Sequence, residues 1–159
     1  MSLKPFRLFA LVAALALSAV AGSVLLAASD LPSGSAKGSL TFDDSTVSLT
    51  FAGAFVDQKD ERKPVVLIVS DKKLPVETWT SDFDIMRDKS KFSGIAFFLD
   101  KEGKVFRTDV HMKERQTAVS GIFDLKLDGP MSKELIGSGT GSSSSGGDKL
   151  EVSFHATLK

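Results

Sequence analysis

Leu150-Glu151-Val152-Ser153-Phe154-His155-Ala156-Thr157-Leu158 decides the fold class. Every second residue is apolar, and those between are Glu, Ser, His and Thr. A strand turns successive side chains to opposite faces, so this period of two predicts a β-strand with one face in a core.

The same rhythm runs through much of the chain. Leu40 and Phe42 alternate with Ser39 and Thr41, and Val47, Leu49, Phe51 and Phe55 alternate with Thr46, Ser48 and Thr50. Asp43-Asp44-Ser45 lies between these runs and reads as a hairpin turn. Gly53 interrupts the second run and suggests a bulge or a close contact. Ile95, Phe97 and Leu99 share a face, and Asp100-Lys101-Glu102-Gly103 reads as a tight turn. Phe106, Thr108, Val110 and Met112 face one way, and Arg107, Asp109, His111 and Lys113 the other. Thr117 to Leu127 reads as one strand, and Glu134 to Thr140 as a short edge strand.

Two stretches break the rhythm. Val65-Val66-Leu67-Ile68-Val69 is apolar on both faces, the pattern of a central strand covered twice. Pro75 to Arg87 carries Trp79, Phe83 and Met86 at helical spacing, which predicts one short helix plugging the sheet with Trp79 and Phe83. About eight strands and one helical insertion predict an all-β fold, an antiparallel β-sandwich or small β-barrel.

The chain begins differently. Lys4 and Arg7 precede an uncharged run, and Ala19-Val20-Ala21 supplies the small residues that a signal peptidase reads. The expected organisation is a signal peptide over residues 1–21, a flexible linker over 22–37 and a single β-domain over 38–159. The uncharged run continues to Ala28, about the length of a membrane span, so a retained anchor is the alternative. Either way the domain is expected to be periplasmic or secreted.

The 159 residues carry 20 basic and 20 acidic side chains, two His and no Cys. Thiol chemistry and disulfides are excluded, and no basic field is present to favour nucleic acid. Twelve Phe and no Tyr point to aromatic rings used as filling.

Gly137 to Gly147 is a Gly/Ser tract, read as a mobile connection between strands because no helix follows to complete a phosphate loop. His111 and His155 fall on polar strand faces. They would approach a metal site only if their strands were neighbours, with help from Asp109 or Glu151, and two exposed rings are the expectation. Aspartates 57, 60, 82, 84 and 88 lack the calcium-loop pattern. No Gly-x-Ser-x-Gly turn marks a nucleophile. No catalytic residue, cofactor or metal is therefore assigned.

Gly38-x-Leu40, Val47-x-Leu49, Gly53-Ala54-Phe55, Val66-Leu67 to Ser70-Asp71, Leu74-Pro75 and Val152-x-Phe154-x-Ala156 follow one another along the chain. This order resembles small uncharacterised exported bacterial all-β proteins. The resemblance implies a secreted β-domain and carries no activity.

The expected function is a non-catalytic binding or interaction domain. Its partner would be a protein, an envelope component or a small apolar ligand walled by Phe97, Phe106 and Phe123. The alternatives are a small secreted hydrolase or isomerase with an unrecognised site near His111 or His155, and an envelope structural protein anchored by an uncleaved leader.

Overall fold

The computed structural model describes residues Ala27–Lys159, so the expected signal peptide lies outside the described residues. Nine strands follow in order: β1 (Ser35–Phe42), β2 (Ser45–Val56), β3 (Val65–Ser70), β4 (Gly94–Leu99), β5 (Val105–Met112), β6 (Arg115–Val119), β7 (Phe123–Leu127), β8 (Glu134–Ser142) and β9 (Lys149–Thr157). One helix, α1 (Asp82–Asp88), lies between β3 and β4. All strand pairings are antiparallel, in the order β6-β5-β4-β3-β2-β1-β9-β8-β7. The chain is thus all-β, one sheet curled into a half-barrel with a single short helix.

Strand identity follows the period of two, and turn chemistry sets the divisions. Asp43 and Asp44 adopt φ of 49° and 58°, the left-handed pair that a two-residue hairpin needs and that Asp tolerates. The expected strand Thr117–Leu127 is two strands, which makes nine where about eight were expected. The chain bends at Ser120-Gly121-Ile122; β6 pairs with β5, while β7 pairs with β8 at the other end of the sheet.

The inner face is apolar. Leu40, Leu67, Phe97, Leu99, Val152 and Phe154 are buried there in one cluster. Burial of such side chains contributes about 1.5–3 kcal/mol each. The outer face of β2–β4 is covered by the segment between β3 and β4. Phe55, Val66, Ile68 and Phe98 meet Leu74, Val76, Trp79, Ile85 and Phe92 in a second cluster. Phe55 and Trp79 stack edge to face with centroids 5.8 Å apart. The run Val65–Val69 is therefore a central strand with both faces buried, as its composition predicts.

Several local expectations change. Val47 and Leu49 face the inner cluster but Phe51 and Phe55 the outer one. The β1–β2 register shifts by one residue between the Ser35–Phe51 and Gly38–Leu49 pairs, and that bulge exchanges the faces. Gly53 is a close-contact site: a Cβ there would lie 2.7 Å from Val76 Cγ2. The helix is shorter than Pro75–Arg87. A 3-10 turn covers Val76–Thr78, and Ser81 then caps α1 in a reciprocal box with Asp84.

The Gly/Ser tract is largely strand rather than mobile connection. Its residues up to Ser142 belong to β8, which pairs with both β7 and β9 and is therefore no edge. Gly137 permits this: a Cβ there would sit 2.1 Å from the Lys126 carbonyl oxygen. Ser35-Ala36-Lys37, expected in the linker, begin β1, and a 3-10 turn spans Ala28–Asp30. The amide of Gly34 donates to the His155 carbonyl at 2.8 Å, which fastens the segment to β9.

Candidate functional site

The polar side of β5 is where the outer layer becomes chemically distinctive. Arg107, Asp109 and His111 alternate outward as strand geometry requires, and α1 with the 3-10 turn Lys89–Lys91 folds over them. The Arg107 guanidinium donates to both oxygens of the buried Asp109, with Nε at 3.1 Å, and to Asp82 of α1 at 3.1 Å. Gln116 of β6 donates to Asp109 at 2.7 Å. Arg107 also lies over the Phe98 ring, 4.2 Å from its centroid.

The network extends to Asp57. One oxygen accepts the Asp82 amide at 3.0 Å; the other accepts the Lys59 and Asp60 amides. These bonds fasten the N-terminal end of α1 to the sheet. Carboxylate–guanidinium pairs of this kind hold geometry well, because the fork of donors matches the two oxygens.

His111 contradicts the expectation of an exposed ring. It is 1 % exposed, packs on Phe92 at a centroid distance of 5.2 Å, and has no hydrogen-bond partner on either nitrogen. Burial, outweighing the nearby Asp109 charge, pushes its pKa down to about 4. The ring is neutral at neutral pH and out of reach of solvent, which makes it a poor proton carrier for an external substrate.

His155 lies elsewhere. Four strands separate β5 from β9, so the two imidazoles do not combine. Nδ1 of His155 is 2.8 Å from the Leu31 carbonyl oxygen, and Nε2 is 2.9 Å from Glu134 Oε2. Ser33 Oγ donates to the same carboxylate at 3.2 Å and also bonds Thr157. Serine, histidine and glutamate therefore gather here, but the hydroxyl is bonded to Glu134 and Thr157 rather than to the imidazole. Proton transfer from Ser33 to His155 has no hydrogen bond to follow.

The aspartates do not converge either. Asp60 pairs with Arg62, Asp82 with Arg107 and Asp88 with Lys91. Asp84 accepts the Thr80 and Ser81 amides and pairs with Arg87, and these bonds, the Thr80 amide foremost, hold its carboxyl below the ordinary range. Among the described residues no group of three or more His, Asp and Glu is placed to hold a metal.

Phe97 and Phe123 lie in the inner cluster, filled in with neighbouring side chains, while Phe106 is 39 % exposed beneath Arg62. Phe106 and Phe123 line one open cleft of about 410 Å³ between β5 and β7, but Phe97 does not reach it, so the three expected wall residues do not enclose one cavity. Phe83 is a further correction. It does not plug the sheet but stands 66 % exposed on α1, with Met86 at 39 %; Trp79 and Ile85 are the buried residues.

Arg107, Asp109 and Gln116 escaped the sequence reading as a unit. Alternation sets Arg107 and Asp109 on the polar face of their strand, and nothing local shows that another segment covers that face. The available signal was the apolar content of residues 74–92, which needs a sheet face to cover. No helix among the described residues is long and apolar enough to cross a membrane. The chain matches no family model, no curated protein and no solved structure.

Proposed function

We propose that the chain is an exported, non-catalytic interaction domain, periplasmic or secreted, that contacts a protein partner through the outward side of α1. The observation that carries this reading is the mounting of Phe83 and Met86. They lie three residues apart on one helix face, both exposed, while Ile85 is buried behind them. The helix beneath them is held by the Ser81 cap, the Asp82–Arg107 pair and the Asp88–Lys91 pair. Large apolar side chains exposed together on a rigid support favour a protein contact, because little ordering entropy remains to be lost on binding.

The filled inner cluster favours a protein partner over an apolar cargo. Buried His111 and doubly bonded His155 favour binding over hydrolysis or isomerisation. Because the nine strands form one continuous antiparallel ladder, we read the curled sheet as barrel-like rather than as a sandwich.

A photoreactive phenylalanine analogue at position 83, in protein exported by a bacterial host, tests the reading. The expected result is one cross-linked adduct of discrete mass that Met86→Lys abolishes and that a probe at exposed Ser144 does not form. Diffuse or absent adducts at position 83 overturn it. Native mass on the same sample checks the alternative, since a retained small ligand would exceed the bare chain mass.

A further inference from the structure

We propose that the free edge of β7 is a strand-addition site for an extended segment of a partner polypeptide, one carrying an acidic, an apolar and a basic residue in that order. The inference rests on main-chain pairing and is independent of the α1 contact proposed above.

β7 ends the sheet and pairs only with β8. The phase of that ladder shows which main-chain groups are left over. Asp128 donates its amide to the Ile136 carbonyl at 2.9 Å, directly across the ladder. Antiparallel pairing repeats every second residue, so Asp124 and Lys126 also turn N–H and C=O toward β8. Phe123, Leu125 and Leu127 turn theirs the other way, where no group among the described residues bonds them. Unpaired main chain along a sheet edge is a template for another strand.

The space beside this edge is open. The cleft of about 410 Å³ separates Phe123, Asp124 and Leu125 from Val105, Phe106 and Arg107 of β5. The β5–β6 ladder starts only at Thr108, so the opening stretch of β5 has no strand on that side either. Phe123 is buried at the closed end, which leaves Asp124 to Leu127 as the reachable part of the edge.

The side chains select the occupant. Leu125 and Leu127 are half-buried against the inner cluster, whereas Asp124 and Lys126 are exposed. Neither charge has an ionic partner among the described residues. On the free edge both fall at non-hydrogen-bonded positions, where facing side chains come closest and opposite charges attract. An antiparallel segment therefore sets an acid opposite Lys126, an apolar residue opposite Leu125 and a base opposite Asp124. Asp124-Leu125-Lys126 itself has this order. A second copy, however, brings its β7 already joined to β8, two strands abreast, and β5 stands across the cleft. A single extended chain meets no such obstacle.

Amide exchange of the full chain with a capped peptide, Thr-Val-Glu-Val-Lys-Val-Thr, tests this. Its central Val faces Leu125. At about 1 mM peptide the Leu125 and Leu127 amides are expected to exchange about twofold more slowly or better, the half-occupancy of a weak strand addition. The Asp124 and Lys126 amides, already held by β8, should not change. N-methylation of the central Val is expected to remove the effect, because the donor to the Leu125 carbonyl is gone. A peptide with Glu and Lys exchanged is expected to bind about threefold to tenfold more weakly. The double variant Asp124→Lys, Lys126→Asp is expected to reverse that preference, and it alters only exposed side chains. No slowing at Leu125, equal binding of the N-methylated peptide, slowing at the β6 edge instead, or an unreversed preference overturns the proposal. Slowing at Leu125 that grows with protein concentration in the absence of peptide also overturns it, since the occupant is then a second copy.

Discussion

The two faces of strands β2 to β5 are covered by different chemistry. The inner face closes on itself with Leu67, Phe97, Leu99 and Phe154, all buried apolar side chains. The outer face is covered by residues 71–93, and the covering mixes Trp79, Ile85 and Phe92 with Arg107, Asp109, His111 and Gln116. Trp79 Nε1, both His111 nitrogens and Gln116 Oε1 are buried without a partner among the described residues. All of them belong to the outer layer. An apolar layer can fill space in many ways, whereas a layer with polar atoms must also satisfy them, and here it does so incompletely. Stability should therefore reside inside, and sensitivity to acid outside.

The largest expected effect is on the inner side. Phe154→Ala should lower stability by about 3–5 kcal/mol in urea unfolding, because it leaves a cavity among fully buried neighbours. A loss under about 1 kcal/mol would break the contrast by showing that the inner face collapses easily.

His111 comes next. The unfolded ring takes a proton as pH falls through 6.5, while the folded ring waits until about 4. Its contribution is complete above 6.5, drains away between these values and stays lost below them, a span worth about 3 kcal/mol. His111→Leu should flatten the acid limb of a stability–pH curve over that interval. An unchanged limb would move acid sensitivity to the carboxylates.

Asp109→Ala should cost about 2 kcal/mol, since it strands Arg107 and Gln116 under the insertion. Exchange of amides in residues 81–93 should rise more than in β9, which would sharpen the separation of the layers. The smallest effect belongs to Phe83→Ala. An exposed side chain with little packing should change stability by within about 0.5 kcal/mol, and Met86→Lys beside it should do the same, so a cross-link of the position-83 probe lost in the Met86→Lys chain would report binding rather than unfolding.

Much of the fold was legible residue by residue. Alternation placed β9 and β5, the Asp43-Asp44 turn joined β1 to β2, and Val65–Val69 announced a strand buried twice. Trp79 was correctly placed inside. The misreadings share a cause. His111, the division of Thr117–Leu127 and the β8 strand within the Gly/Ser tract each depend on what lies across from them. Gly137 in β8 looks like loop composition until the Lys126 carbonyl is found where its side chain would be.

Sequence alone therefore determined the period-two backbone, the all-β class and the presence of one helical insertion, because side-chain direction along a strand is a local property. Tertiary structure alone decided which polar faces meet water. Residues 71–93 cover one such face and bury His111, whereas residues 27–34 reach another and give His155 two acceptors. Alternation tells two faces apart but carries no record of the segment that later packs on either one.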